Sequence, residues 1–290
     1  MYPKISIVTP SFNQGSYIEE CILSILNQGY PNLEYIIIDG GSTDNTIEII
    51  KRYQSQLSFW ISEKDSGLYE ALNKGFEKTT GEILGWLNSD DILHRKSLFT
   101  IADIFSALPE VQWLQGYPSL IDNDGRIVFH QPPRYNKYDF FLKEYHDGTF
   151  IQQESTYWRR ELWEEAGSHI SMKYKYAGDF ELWMRFFSIQ KLYTTRAMIG
   201  AFRYRGEEQM SNKYYSSYMN ECDLIVDEFS KLLTPDELSE KKKLKFLKFM
   251  KQKYPLLARV YFNRALGKYA NNGNDIVFDV KQHKFKLNGN

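Results

Sequence analysis

The sequence predicts an α/β fold with a mostly parallel sheet, followed by a mainly helical extension. Two features of the 290-residue chain support this prediction. Short apolar runs rich in β-branched residues alternate with helical patterns through the first half. From about residue 214 the sequence becomes Lys-rich with helical spacing. We therefore expect two domains, residues 1–212 and residues 213–290.

Strands and helices alternate strictly in the N-terminal third. The predicted strands are short apolar runs that end at turn-forming residues: 4–9, 33–39, 58–62 and 82–87. The predicted helices carry their apolar residues on one face: 16–28, 45–53 and 68–78. Such alternation places helices on both faces of a parallel sheet, whose ligands bind beyond the carboxyl ends of the strands. We expect the functional residues at that edge.

The middle of the chain is less regular. Strands are predicted at 111–116, around a hairpin turn at Asn123-Asp124-Gly125, and at 192–204. Helices are predicted at 161–166 and 180–189, after a polar loop at 147–153. The sheet is therefore expected to continue beyond the N-terminal third.

Composition and charge exclude several classes of protein. Lys and Arg total 36 against 37 Asp and Glu, which removes the global electrostatic argument for nucleic-acid binding. Cys21 and Cys222 stand far apart, so neither a disulfide framework nor a zinc knuckle is expected. No secretory pattern follows Met1, and no apolar run approaches the ~20 residues that span a bilayer. We expect a cytoplasmic protein, either free or peripheral on the inner face of the membrane.

Polar residues follow each of the first four predicted strands. Each group alone is typical of turns and helix caps, and capping is the favoured interpretation for Asp44 and Ser66. Asp90 and Asp91 are the sharpest feature, because adjacent carboxylates after a buried strand repel each other unless a hard cation such as Mg²⁺ or Mn²⁺ offsets their charge. An exposed turn is the alternative interpretation of this pair.

Familiar nucleotide and hydrolase motifs are missing. The first strand is followed by neither a G-x-G-x-x-G turn nor a phosphate loop ending in Gly-Lys-Ser/Thr, which disfavours dehydrogenases and kinases. No G-x-S-x-G elbow occurs, and the five histidines show no i, i+4 pair. The sequence therefore provides the motif of neither a hydrolase triad nor a zinc site.

Four segments occur in a fixed order: Val8–Asn13, Ile38–Thr46, Asp65–Gly75 and Leu87–Asp91. In order and spacing they resemble bacterial family 2 glycosyltransferases of the GT-A fold, and the resemblance extends over roughly residues 4–205. It implies a Rossmann-like sheet, a divalent cation (Mg²⁺ or Mn²⁺), inversion at the anomeric carbon, and a UDP-, GDP- or dTDP-linked sugar donor. The implied acceptor is a glycan or a lipid-linked molecule in polysaccharide or glycoconjugate biosynthesis.

The resemblance also implies roles for individual residues. Asp90 and Asp91 fall on the metal motif of the family, with Asp91 as the favoured direct ligand. The positions around the nucleotide sugar are Thr9, Pro10, Phe12, Asn13, Asp39, Asp65, Lys74, Asn88, Ser89 and Asp90. Asn88 stands where many relatives carry a third aspartate, and Gly40 where some carry an acid that contacts the base. The identity of the nucleotide therefore stays open.

Asp179 falls on the family's general base, which deprotonates the acceptor hydroxyl. Its alternative interpretation is the N-cap of a helix. The resemblance places Gln153, Glu154 and Trp158 on the acceptor side, although core packing explains Trp158 equally well. Relatives often carry a His after the closing strand, whereas this chain has Arg203 and Arg205. Either arginine could neutralise the leaving diphosphate, with surface solvation as the alternative.

Two other functions stay open. A carbohydrate-binding or scaffold module could keep the fold without turnover, since fold does not fix function. The presence of Asp90, Asp91 and Asp179 together favours an enzyme. A nucleotidyltransferase needs a Gly-rich, basic triphosphate loop after the first strand, which the sequence lacks.

Residues 241–268 combine many lysines with aromatic and aliphatic residues. A basic amphipathic helix can lie on an anionic bilayer, and each Lys or Arg near the surface contributes ~1 kcal/mol. The alternative, slightly favoured, is a helix that packs its apolar face on the catalytic domain.

Overall fold

The computed structural model describes residues 2–130, 135, 137–148, 150–206, 209–254, 265–266 and 274–288. The N-terminal third alternates strands and helices as predicted. Its elements are β1 (Ile5–Ser11), α1 (Ile18–Leu26), β2 (Leu33–Asp39), α2 (Thr46–Tyr53), β3 (Phe59–Ser62), α3 (Leu68–Phe76) and β4 (Ile83–Trp86). The predicted bounds agree with these elements to within two residues at each end.

The rest of the described chain extends the same sheet and adds helices. The elements up to residue 203 are β5 (Ile92–Leu93), α4 (Ser97–Ala107), β6 (Trp113–Ile121), β7 (Ile127–His130), α5 (Lys137–Phe141), β8 (Thr156–Arg159), α6 (Arg160–Glu165), α7 (Gly178–Ile189) and β9 (Tyr193–Arg203). The later ones are α8 (Met210–Lys213), α9 (Tyr215–Ser230), α10 (Pro235–Lys253), β10 (Asp275–Asp279) and β11 (Lys284–Leu287). Of these, β5, α4, α5, α8, β10 and β11 are not predicted from sequence.

One mixed sheet runs through the described residues in the order β11-β10-β9-β6-β8-β4-β1-β2-β3, with β5 on β9 and β7 on β6. β1 pairs in parallel with both β2 and β4. β8 is antiparallel to both of its neighbours, β4 and β6, so these two strands run the same way. β9 is parallel to β6. The carboxyl ends of β1, β2, β3, β4, β6 and β9 therefore meet at one edge.

The sheet is buried on both faces, which explains why its central strands are continuous apolar runs. One face packs against α1, α2 and α4 through an aliphatic core that includes Ile5, Ile22 and Ile101. The other face packs against α3, α7 and α9 through an aromatic core. Its members include Trp86, Trp113, Trp158, Trp183 and Phe186.

The C-terminal region is only partly as predicted. Helices α9 and α10 form, but the β10–β11 hairpin is unexpected, and β10 joins the sheet parallel to β9. Within the predicted basic segment, residues 255–264 and 267–268 lie outside the described residues. Helix α9 shares the aromatic core with α7, so the division at residue 212 stays a prediction. No helix in the described ranges is long and apolar enough to cross a bilayer.

Candidate active site

A buried acidic cluster lies at the carboxyl end of β4. Asp90 and Asp91 are 9% and 1% exposed. Asp91 Oδ1 accepts the backbone N–H of Arg203 at 2.9 Å, and Gln153 Nε2 lies 3.5 Å from Asp91 Oδ2. Glu154 is 1% exposed, and its charge acts on Asp91. The fold thus brings two predicted acceptor-side residues beside the predicted metal pair.

Burial dominates the acid–base properties of this cluster. It raises the pKa of Asp91 well above its usual range, and the charges of Asp90 and Glu154 raise it further. Burial also raises the pKa of Asp90, against the opposing charge of Arg205. The pKa of Glu154 rises to about 8 for the same reason. Ionising all of these buried carboxyl groups at once costs free energy. A bound cation would offset that cost, so the site favours added positive charge.

The structure separates the roles of Arg203, the last residue of β9, and Arg205. Arg203 is fully buried and donates to the carbonyls of Asp90, Asp122 and Asn123, so it ties the end of β9 to two other backbone segments. Its guanidinium also pairs with Glu20 at 2.6 Å. Arg203 is therefore an internal structural residue, and neither surface solvation nor contact with a diphosphate describes it.

Arg205 occupies a different environment. Its Nη2 lies 2.7 Å from Asp90 Oδ2, and its guanidinium lies 5.1 Å from the ring centre of Tyr17. The side chain is half-buried, and its Nε has no hydrogen-bond partner among the described residues. Arg205 is thus a cation at the site, and its Nε–H donor is still available for a hydrogen bond. Nothing in the sequence around Tyr17 predicts that its ring contacts an arginine.

The acidic pair fits a divalent cation with an open coordination shell. Two residues before the pair, the buried Oδ1 of Asn88 has no partner among the described residues, so it is an uncommitted oxygen. Mg²⁺ and Mn²⁺ sites need only one or two carboxylates when phosphate oxygens and waters complete the shell. No group of three or more His, Cys, Asp or Glu within the described ranges is arranged to hold a metal without such help.

The loops after β1 and β2 are tied together at the same edge. Asn13 adopts a left-handed backbone with φ of 51°, which Asn tolerates better than most residues. Its N–H donates to Ser42 Oγ at 2.7 Å, and its Oδ1 accepts the N–H of Thr43 at 2.8 Å. Neighbouring Phe12 is 57% exposed, so its ring is available to a ligand.

Besides Asp90, four predicted nucleotide-sugar residues are buried, and two of them have side chains that hydrogen-bond within the protein. Asp39 accepts the N–H groups of Gly41 and Ser42 and the hydroxyl of Ser62. The hydroxyl of Thr9 accepts that of Tyr35 in the interior at 3.1 Å. These side chains help to shape the loops, and direct contact of Thr9 and Asp39 with a nucleotide stays a prediction. The other two buried residues are Pro10 and Ser89.

Asp65 and Lys74 lie beyond β3. Burial raises the pKa of Asp65, and one of its oxygens accepts the N–H of Gly67. A Cβ added at Gly40 would lie 3.0 Å from the Asp65 carboxylate, so Gly40 leaves room for this acid. Lys74 pairs with Glu63 at 2.9 Å and with Glu70 at 2.8 Å. Contact of Asp65 and Lys74 with a nucleotide stays a prediction.

Asp179 is the second residue of α7, and Ala177 occupies the N-cap position, so the N-cap interpretation is corrected by two residues. Burial raises the pKa of Asp179 to about 6, although N–H groups of the first helical turn oppose this shift. The hydroxyl of Tyr69 lies 3.3 Å from Asp179 Oδ1. Because Tyr69 begins α3 just after the β3 loop, Asp179 lies at the same edge as the acidic cluster. Tyr69 lies in the segment Asp65–Gly75, which resembles the family. Nothing in that segment predicts that Tyr69 contacts Asp179.

Trp158 is a correction to the acceptor-side prediction. It is fully buried in the aromatic core, 5.6 Å from the ring of Trp86 and 5.8 Å from that of Trp183. The core-packing interpretation is the one that the structure supports. The reason is that β8 is a central strand of the sheet, and the face that carries Trp158 is covered by α3 and α7.

The sequence model of the family described as "Glycosyl transferase family 2" matches residues 6–165. An uncharacterized glycosyltransferase of Rickettsia bellii is 23% identical over 292 residues, covering 97% of this chain. The chain spans only 41% of that relative's length.

Two solved structures are similar in fold. Staphylococcus aureus TarS 1–349 in complex with UDP-GlcNAc has a TM-score of 0.58 and 18% identity, covering 99% of this chain and 97% of that one. The mannosyltransferase PcManGT of Pyrobaculum calidifontis, in complex with GDP-Man and Mn²⁺, has a TM-score of 0.53 and 19% identity, covering 93% and 81%. These likenesses confirm the predicted GT-A fold.

Proposed function

Because the chain belongs to glycosyltransferase family 2, we propose that it is an inverting, metal-assisted enzyme that moves a sugar from a nucleotide-diphosphate donor to an acceptor hydroxyl. The acceptor is a glycan or a lipid-linked molecule of polysaccharide or glycoconjugate biosynthesis. One observation carries this proposal: the buried pair Asp90–Asp91 and the half-buried base Asp179 share one edge of the sheet.

On the donor side, the protein must hold and neutralise a diphosphate. Asp90 and Asp91, with the uncommitted oxygen of Asn88, would hold Mg²⁺ or Mn²⁺, which stabilises negative charge on a leaving diphosphate. Arg205 is the protein's own cation at this place, and it can exchange its pairing with Asp90 for a phosphate oxygen. Phe12 and Asn13, in the loop after β1, would contact the nucleotide.

On the acceptor side, Asp179 takes the proton of the attacking hydroxyl. A carboxyl with a pKa of about 6 is ionised at neutral pH and still basic enough to accept a proton during attack. The acceptor oxygen bonds to the anomeric carbon as the bond to the diphosphate breaks on the opposite face. The configuration inverts in one step, and the protein needs no covalent nucleophile.

A donor panel tests this proposal directly. Nucleoside diphosphate release would be measured from UDP-, GDP- and dTDP-sugars, beginning with UDP-GlcNAc and GDP-mannose because the similar structures bind them. We expect metal-dependent release from one nucleotide class, which EDTA abolishes and Mn²⁺ or Mg²⁺ restores. Failure of every donor, with and without metal, would count against the enzyme and favour a carbohydrate-binding module.

We also propose that α10 contacts an anionic membrane surface. The helix buries Leu244, and Lys248 pairs with Asp139 and Glu144, so one side packs on the protein as the packing interpretation requires. The other side exposes Phe246 and Phe249, at 58% and 55%. Exposed aromatic rings among lysines fit an anionic lipid surface by charge and by apolar contact.

The charge on this face supports an anionic lipid. Lys242 and Lys245 are exposed and form no ion pair with the described residues, and they flank the two rings. Residues 241–254 contain seven lysines and no acidic residue. Such contact would bring the active site to a lipid-linked acceptor.

Liposome sedimentation at low salt tests the membrane proposal. We expect binding to phosphatidylglycerol vesicles that weakens with salt and is lost in a Phe246→Ser/Phe249→Ser variant. Phe278→Ser is the matched control, because Phe278 is an exposed ring on the C-terminal hairpin. Equal binding by both variants, or no binding by the wild type, would leave α10 with a packing role alone.

A further inference from the structure

A carboxylate from α9 binds the backbone of the loop that leads into α7. Glu221 accepts the backbone N–H groups of three consecutive residues: Lys175 at 3.0 Å, Tyr176 at 2.8 Å and Ala177 at 2.8 Å. Ala177 occupies the N-cap position of α7, and its methyl side chain cannot cap the helix. Glu221 therefore supplies, from a distant helix, the negative charge that a helix start favours.

Two further residues, one just before α9 and one within it, contact the same loop. The ring of Tyr214, just before the helix, stacks on Tyr176 with centres 4.8 Å apart. Glu228 binds Lys173 Nζ at 2.6 Å and accepts the hydroxyl of Tyr174 at 2.9 Å. The α9 side of the loop at residues 173–177 is thus fixed by stacking and by two carboxylates.

The opposite side of the loop is fixed by α3. The Tyr69 hydroxyl donates to the Tyr176 carbonyl at 2.6 Å. A Cβ at Gly178 would lie 2.8 Å from the ring of Tyr69, so only glycine allows this close approach. Asp179 follows directly, and its backbone position is set by a loop clamped between α3 and α9.

We infer that Glu221 is a positioning residue for Asp179 and that the C-terminal extension is part of the catalytic unit through α9. This inference rests on the proposed function, in which Asp179 is the base. The physical reason is that a base must lie within hydrogen-bond reach of the acceptor proton. A displacement of about 1 Å can reduce turnover by about 100-fold.

Glu221 also acts on Asp179 through its charge. The ionisable side chains that face Asp179 are Tyr69 from α3, and Tyr218, Glu221 and Cys222 from α9. Burial raises the pKa of both phenols and of the thiol, so these groups are neutral near pH 7. The negative charge of Glu221 adds to the larger effect of burial in raising the pKa of Asp179.

The test compares Glu221→Ala, Glu221→Gln, Asp179→Asn and Asp227→Asn in the full-length protein. Asp227 is the matched control, because it is an exposed α9 carboxylate that pairs with Lys143 away from the loop. Kinetics would use the donor that the panel selects. Amide hydrogen exchange at residues 175–177 would be followed as a readout that needs no substrate.

We expect Glu221→Ala to lower kcat by about 10- to 100-fold, with an unchanged KM for the donor and faster exchange of the three amides. Glu221→Gln keeps an oxygen that can accept two of the N–H groups, so its loss should be smaller. Because it removes the charge, the acid limb of its pH–rate profile should move to lower pH. A purely structural role would not move that limb, and Asp227→Asn should match the wild type.

The outcomes separate the two proposals. If Asp179→Asn is inactive while both Glu221 variants keep wild-type kcat and pH profile, the inference about Glu221 is wrong and the proposed base stands. If Asp179→Asn keeps full activity, the proposed base itself is wrong. If Glu221→Ala does not fold, the pH profile and amide exchange of Glu221→Gln decide. An equal loss in donor affinity and turnover would also overturn the positioning role.

Discussion

Replacing Asp179 by Asn should remove activity and stabilise the fold at the same time. The side chain is half-buried, and desolvation raises the pKa of its carboxyl from 3.8 to about 6 in the folded protein. A shift of about 2 units corresponds to about 3 kcal/mol, because one unit is 1.36 kcal/mol. Neutral Asn avoids the cost of ionising this group in the folded state, so the free energy of unfolding should rise by up to about 3 kcal/mol at pH 8.

The sign of this effect depends on pH. A raised folded-state pKa means that the wild type loses stability as pH rises from about 4 through about 6. At pH 5 the group is ionised mainly in the unfolded chain, so the advantage of Asn should be only about half of its value at pH 8. The wild-type rate should fall below about pH 6 as Asp179 becomes protonated.

Two measurements check this prediction. Calorimetry should show a Tm increase of up to about 6 to 12 °C for Asp179→Asn at pH 8, since ~1 kcal/mol corresponds to ~2–4 °C for a chain of this size. Nucleoside diphosphate release should fall by about 10²- to 10⁴-fold, with donor KM unchanged because the donor is bound elsewhere. An unaltered rate would refute the role as base, and a lower Tm would refute the cost of buried charge.

Three further predictions concern the acidic cluster and its surroundings. Asp91→Ala should abolish metal-dependent transfer while the fold persists, as judged by circular dichroism, and full transfer by the wild type in EDTA would contradict a metal role. Arg205→Ala should raise the donor KM with little change in stability, whereas Arg203→Ala should destabilise the protein by roughly 3 to 5 kcal/mol because three carbonyls and Glu20 lose a buried partner. Equal denaturant midpoints for these two variants would show the separation to be wrong. Trp158→Ala should cost about 3 to 5 kcal/mol through the cavity that it leaves, and a loss of acceptor affinity in a fully stable variant would restore its predicted acceptor role.

Much of the fold was predictable because its signals are local. Strand and helix periodicity predicts the elements from β1 to α3, and the polar residues after each strand indicate the edge where the candidate site lies. The β10–β11 hairpin was missed, because two short strands joined to a distant β9 carry no pattern that separates them from a loop. β5 is only two residues long and was missed for the same reason.

The residues of the site divide in a similar way. Asp90, Asp91 and Asp179 could be named from sequence, because each stands in a segment with a recognisable pattern. Only the tertiary structure distinguishes Arg203 from Arg205. Arg203 is buried and donates to backbone carbonyls, whereas Arg205 pairs with Asp90. The tertiary structure likewise places Trp158 in the core and sets Glu221 against the loop before Asp179. Burial and hydrogen bonding of these side chains depend on neighbours that are distant in sequence, and periodicity within a segment holds no information about those neighbours.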